Sequence, residues 1–150
     1  MINLTQEERW MLYALKEAEK ALKVDEVPIG AIVVKNDKII GRGFNQVESL
    51  KDSTAHAEII AITSASNSID DWRLNDCSIF VTKEPCFMCL GALINARIKS
   101  LYYGIPDLEN GFVKFKDKFD IRMPHLKMIQ GNIFEQECKK IIQDFFLKKR

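Results

Sequence analysis

Two short stretches of this chain carry residues able to do chemistry. They are Thr54-Ala55-His56-Ala57-Glu58 and Glu84-Pro85-Cys86-Phe87-Met88-Cys89. Cys86 and Cys89 stand at CxxC spacing, which lets both thiolates reach one ion from the first turn of a helix. A zinc ion takes about four ligands, and a catalytic site leaves one of those positions to water. With a single CxxC, a four-Cys structural site would need Cys77 and Cys138 to join. A three-ligand site needs one more donor, and the histidines are His56 and His125. His56 lies at the expected start of a helix, two residues before Glu58. Two thiolates and a neutral imidazole bring the charge on Zn2+ to roughly zero. The acidity of water at such a site must then be helped from elsewhere, and two helix N-termini aimed at the metal would each supply about half a positive charge. A carboxylate near the metal but not bound to it can take the water's proton and pass it on. Glu58 is placed for this, because residues i and i+2 of a helix do not share a face. Taken alone, a CxxC also fits a redox pair and a lone His a structural role.

The bulk properties bound what surrounds these residues. The 150 residues suggest one domain, with an apolar share of 47% and a charged share of 29%, as in ordinary globular proteins. No apolar run approaches the ~20 residues of a membrane span. The N-terminus, Met1 to Glu8, has neither the basic start nor the apolar stretch of a signal peptide. The expectation is a cytoplasmic protein, whose four Cys are not structural disulfides. Net charge is +1, divided as 9 basic and 12 acidic residues over 1–75 and 13 basic and 9 acidic over 76–150. A polyanionic partner would therefore meet the C-terminal half.

The elements that must position the two stretches can be read from pattern. Thr5 and Glu8 fit a capping box, and Met11, Ala14, Leu15, Ala18, Ala21 and Leu22 follow at helical spacing. Ile29 to Val34 and Lys38 to Gly43 read as a hairpin around Asn36-Asp37. Ser53 and Thr54 are candidate N-caps of a helix running from near His56 to about Ser66. Ser78 to Thr82 reads as a buried strand, and a helix from about Cys86 to Ala96 follows, with Pro85 at its start. Lys99 to Gly104 is a further strand, 106 to 125 has no regular pattern, and Leu126 to Gln130 is a last strand. Phe134 to Lys148 is a final helix with Ile133, Ile141, Ile142, Phe145 and Phe146 as apolar positions. Strands alternating with helices predict an α/β layered fold with a partly parallel sheet.

HxE on one helix start and PCxxC on a later one, about 30 residues apart with a strand between, form the signature of zinc-dependent nucleobase deaminases. The chain resembles the tRNA adenosine deaminases of the cytidine deaminase superfamily over nearly its whole length. The matching stretches are EVPIGAIVV (Glu26 to Val34), GFN (Gly43 to Asn45), TAHAEI (Thr54 to Ile59), WRL (Trp72 to Leu74) and VTKEPCFMCLGALINARI (Val81 to Ile98). YYG (Tyr102 to Gly104) and DFF (Asp144 to Phe146) match as well. The resemblance implies one deaminase domain over 1–150, with a three-layer α/β/α fold around a five-stranded mixed sheet. It implies zinc held by His56, Cys86 and Cys89, with Glu58 shuttling protons; ligand spacing and count leave Cys77 and Cys138 as spectators. Asn45 and the backbone at Ala57 would hydrogen-bond the flipped nucleotide, Val27 would line the base pocket, and Asp107 would contact the target ribose. The implied reaction is hydrolytic deamination of adenosine to inosine at the wobble position, in a base splayed from a tRNA anticodon loop, by a homodimer.

One segment departs from the family. After Asp107 the family carries a Lys and a small-residue loop, whereas this chain has Leu108 to Lys116, rich in aromatic and basic residues. Phe112, Phe115 and Phe119 either pack, with Lys114, Lys116 and Lys118 as a solvated face, or they build an RNA groove of stacking rings and phosphate contacts. Two rival functions remain. A deaminase of free guanine, cytosine or a small nucleoside would need a closed pocket, and the basic C-terminal half with Lys148-Lys149-Arg150 argues against it. A non-catalytic zinc-stabilised RNA-binding partner would usually lose the proton shuttle, and Glu58 is present.

Overall fold

The structure is a computed structural model that describes residues 3–149. Met1, Ile2 and Arg150, the last residue of the basic tail, lie outside the described residues. Helix α1 spans Gln6–Lys23 and starts with the expected capping box: Glu8 N donates to Thr5 Oγ1 at 3.1 Å and Thr5 N to Glu8 Oε1 at 2.9 Å. Its buried stripe is Met11, Ala14, Ala18 and Ala21. Strands β1 (Gly30–Lys35) and β2 (Lys38–Phe44) form the hairpin, and Asn36 and Asp37 both take left-handed φ values, 51° and 58°. A two-residue turn of this hand matches the twist of the paired strands. A four-residue helix α2 (Val47–Leu50) and helix α3 (Ala57–Ile69) follow. Strand β3 (Ser78–Lys83), helix α4 (Phe87–Asn95) and strand β4 (Ser100–Ile105) make a βαβ unit. Helix α5 (Phe112–Phe119), strand β5 (Met128–Gln130) and helix α6 (Glu135–Lys148) complete the chain.

The sheet order is β2-β1-β3-β4-β5. β1 is antiparallel to β2 and β3, while β3, β4 and β5 run parallel, so the sheet is mixed, as expected. Alternation along the strands divides the core in two. Ala31, Val33, Ile79, Val81 and Leu101 pack with α3 and α4 on one face. Ile32, Val34 and Phe80 meet Met11 and Ala14 of α1 and Ile133, which leads into α6, on the other. The result is three layers, α/β/α.

Pairing register decides where a site can form. Gly30 faces Phe44, Ala31 faces Val81 and Lys83 faces Ile105. The start of β1 and the ends of β2, β3 and β4 therefore meet at one edge of the sheet, and α3 and α4 both begin there. The seat of α3 is unusually close. A Cβ at Gly41 or Gly43 would collide with the carbonyls of Ala61 or Ala57. The helix lays its small-residue face, Ala57, Ala61 and Ala65, directly on the β2 backbone.

Three expectations need correction. The stretch read as irregular, 106 to 125, contains α5, whose Phe112 is fully buried while Phe115 rests against Phe87. Neither Ser53 nor Thr54 caps α3: His56 occupies that position, and Thr54 N and Oγ1 instead donate to Asp52 Oδ1 at 2.8 and 2.7 Å. The last strand is shorter than expected, and in α6 the stripe is Cys138, Ile141, Ile142 and Phe145, with Phe146 half exposed.

Candidate active site

His56 is the residue before the first turn of α3, and Cys86 holds the same place in α4, with Pro85 just ahead of it. Cys89 sits in the first turn of α4 and is buried. Nδ1 of His56 lies 3.6 Å from Cys86 Sγ and 3.5 Å from Cys89 Sγ. All three donor atoms fall within 4.8 Å of one another. Metal–sulfur and metal–nitrogen bonds of about 2.3 and 2.0 Å at the tetrahedral angle separate N from S by about 3.5 Å, so the donors already stand at the spacing of one tetrahedral ion. Two thiolates and an imidazole are also a zinc donor set. Cys77 and Cys138 are buried elsewhere, Cys138 against Gly104 on the opposite face of the sheet. His125 is not part of the cluster.

The groups of the cluster perturb one another's titration. The Cys89 contact, followed by His56, holds the Cys86 thiol down at about 4. The same Cys86 contact, and then burial, drive Cys89 far upward. His56 is raised by its contact with Cys86, against the effect of burial. Glu58 lies in the first turn of α3, 4% exposed, and burial pushes its carboxyl up to about 7, with the Cys86 charge adding and His56 opposing. A carboxyl that ionises near neutrality can both accept and return a proton.

His56 and Cys86 of the cluster line a cleft of about 530 Å³ at the sheet edge described above. Val27, Asn45, Ala57, Glu58 and Asp107 line it together with His56 and Cys86, while Cys89 is fully buried and is not among its lining residues. Asn45 ties two walls together: its Nδ2 donates to the Val27 carbonyl at 3.3 Å and its Oδ1 accepts from Val47 N at 3.4 Å. Asp107 Oδ1 accepts from the amides of Glu109 and Asn110 at 3.2 and 3.1 Å, and its Oδ2 faces Lys83 Nζ at 3.2 Å. Burial alone would raise the Asp107 pKa; the Asn110 amide and Lys83 outweigh it and hold the carboxylate below its ordinary value. A larger groove of about 980 Å³ runs between α1 and α6, but it holds none of these groups.

Two further buried glutamates of the cleft escaped the reading of the sequence. Glu26 is 1% exposed and accepts from Glu48 N at 3.1 Å and from Ser49 N and Oγ at 2.6 Å each, which caps α2. Glu84 accepts from Asp107 N at 3.1 Å and from Val113 N at 3.0 Å, which caps α5 and fixes the Asp107 loop to the turn that carries Cys86. A charged residue directly before an apolar run, Val27 to Val34, was the available signal for Glu26.

The comparisons agree with this geometry. The family model of MafB19-like deaminases matches residues 5–150. A protein of Buchnera aphidicola subsp. Schizaphis graminum, named tRNA-specific adenosine deaminase, is 48% identical over 145 residues, covering 94% of each chain. A solved structure from work on A-to-I editing by tRNA:A34 deaminases at the wobble position of transfer RNA matches with a TM-score of 0.81 and 38% identity, covering 89% of this chain and 98% of its own. The guanine deaminase of Bacillus subtilis matches over less: TM-score 0.64, 35% identity, 69% of this chain and 66% of its own. With a relative this similar along both full lengths and the donor cluster in place, the chain belongs to the family of tRNA-specific adenosine deaminases, within the MafB19-like deaminases.

Proposed function

We propose that this chain is a zinc-dependent hydrolase that deaminates adenosine to inosine at the wobble position of tRNA, acting on a base splayed from the anticodon loop. The observation that carries the reading is the buried Glu58 carboxyl lining one cleft with His56 and Cys86, two of the three clustered donors His56, Cys86 and Cys89. Those three residues would hold zinc, which when bound supplies the Lewis acidity that makes water a nucleophile at neutral pH. Glu58 accepts a proton from the attacking water and delivers it to N1 of the purine. It then takes up the remaining hydroxyl proton and passes it to the departing amine, so that C6–NH2 becomes C6=O and ammonia leaves. Val27 packs against the base, Asn45 and the Ala57 backbone hydrogen-bond it, and Asp107 accepts from the ribose. A loop target suits such a site, because an unstacked base costs little to extrude.

The chain works as one unit over 1–150, as a cytoplasmic homodimer. Among the described residues no helix is long and apolar enough to cross a membrane. Likeness to a guanine deaminase favours free-base deamination as the second reading, but it covers less of both chains than the adenosine deaminase matches do. Incubating the purified protein with total tRNA, free adenosine, cytosine and guanine, followed by nucleoside analysis, separates the two. Inosine in tRNA is the expected product; deaminated guanine or cytosine with unchanged tRNA would overturn the assignment.

A further inference from the structure

Strand β3 contains a residue that breaks its own pattern. Ile79 and Val81 point to the α3/α4 face and are fully buried, and Lys83 is the next residue of that row. An apolar side chain is what the alternation calls for. Lys83 instead carries its ammonium past the end of the buried row into the cleft, where about a third of the side chain is exposed. Local rules tend to be broken at functional positions.

The charges around it sharpen the point. Among the described residues that line the cleft, Lys83 is the single lysine or arginine, set against Glu26, Glu48, Glu58, Glu84 and Asp107. Glu26 and Glu84 are turned inward onto backbone amides. Asp107 is the one carboxylate paired with Lys83, at 3.2 Å. Its other oxygen is held by two amides, so Asp107 keeps its place when the ammonium moves away. The mouth of the cleft thus offers a fixed acceptor and, beside it, a partly exposed cation. A free base has no anion for that cation. A nucleotide within a strand has both partners, a ribose hydroxyl for the carboxylate and a phosphate a few bonds away for the ammonium.

We infer that Lys83 is a substrate-binding residue whose ammonium pairs with a phosphate flanking the target adenosine. The inference rests on the RNA-substrate reading above and adds to it the group that recognises the strand rather than the base. It implies that a neutral side chain at this position weakens RNA binding in a salt-dependent way, and that Arg restores it.

The test uses the zinc-loaded protein and an anticodon stem-loop RNA. Binding is measured against salt concentration for wild type, Lys83→Met and Lys83→Arg. Removing one single-strand phosphate pairing flattens the log–log slope by about 0.7. Affinity at low salt should fall on the order of ten-fold in Lys83→Met, as expected for a missing charge-assisted hydrogen bond, and Lys83→Arg should keep the wild-type slope. A neutral methylphosphonate placed in turn 5′ and 3′ of the adenosine identifies the phosphate. At one position it should weaken binding to wild type and leave binding to Lys83→Met unchanged. An unchanged slope in Lys83→Met, or methylphosphonate penalties equal in both proteins at both positions, overturns the inference while the substrate reading stands. If wild type forms no inosine in this RNA, the substrate reading itself falls, and the inference with it.

Discussion

Replacing Glu26 by Gln keeps the size and shape of the side chain and removes its charge. In the native protein one carboxylate oxygen accepts from Ser49 N and Oγ at 2.6 Å each and the other from Glu48 N at 3.1 Å. A Gln oxygen can keep the Ser49 pair, but its NH2 then faces the Glu48 N–H and that donor is orphaned. Losing charge assistance on two bonds and leaving one donor unpaired costs on the order of 1–3 kcal/mol for each effect in a buried setting. Glu48 and Ser49 are exposed, and water relieves part of this, so about 2 kcal/mol in total is expected. For a chain of this length that lowers Tm by about 4–8 °C.

The pH dependence has a fixed sign. Burial alone would raise the pKa of Glu26, but the hydrogen bonds from Ser49 and Glu48 hold it below the ordinary value of 4.5. A group whose folded pKa is depressed contributes stability above its unfolded pKa and loses it as pH falls through the folded one. The gap between wild type and Glu26→Gln should therefore be full at neutral pH and shrink as pH falls below 4.5. Urea unfolding across that range, read as a shift in midpoint at constant slope, measures it. A gap under about 0.5 kcal/mol at neutral pH, the size of an ordinary surface substitution, would refute the capping argument. A gap that grows in acid would refute the sign.

The other expected outcomes bear on the site directly. Cys77→Ala with Cys138→Ala should keep one zinc per subunit by metal analysis, because neither thiol is part of the donor cluster; loss of zinc there would remove the ligand assignment. Glu58→Ala should retain zinc and fold while turnover drops by ~10⁴ or more, at or above the top of the range for a general acid–base group; near-normal turnover would mean the proton path is misread. Replacing Lys114, Lys116 and Lys118 by Ala should weaken tRNA binding and flatten its salt slope by about 0.7 for each phosphate left without its lysine, with zinc content unchanged. Wild-type affinity and slope in that variant would make these lysines a solvated face.

Much of this molecule is legible in its sequence because the signals are local. Thr5 and Glu8 cap α1 from three residues apart, and Asn36-Asp37 turns the hairpin by itself. HxE and PCxxC each sit within a single helix turn. The two helices that pattern alone does not reveal share a different property: each is capped from far away. The amides that open α2 are satisfied by Glu26, 22 and 23 residues upstream, and an amide opening α5 by Glu84, 29 residues upstream. Gln46 and Gly111, which precede them, make no side-chain cap. The Phe112, Phe115 and Phe119 spacing is helical, but without a local start signal it reads as an irregular stretch. α2 is in any case too short to show a period. His56 poses the opposite difficulty, since a residue in the cap position of α3 looks like the helix's own first residue.

The bare contact between α3 and β2 bears on how the site tolerates change. Most helix–sheet spacings are set by side-chain volume, and substitutions can swell or shrink them. Here Gly41 and Gly43 present no side chain, and the opposing Ala57, Ala61 and Ala65 present only methyl groups. The distance from hairpin to helix is therefore fixed by main-chain dimensions, which vary little whatever the residue types. His56 and Glu58 ride on the end of that helix. Their height above the sheet is set like a machined part resting on a flat bed, and drift in the larger hydrophobic residues elsewhere in the core has no lever on it. The same economy leaves no slack: a single methyl group added at Gly43 has the Ala57 carbonyl, one residue from each of those two side chains, directly in its way.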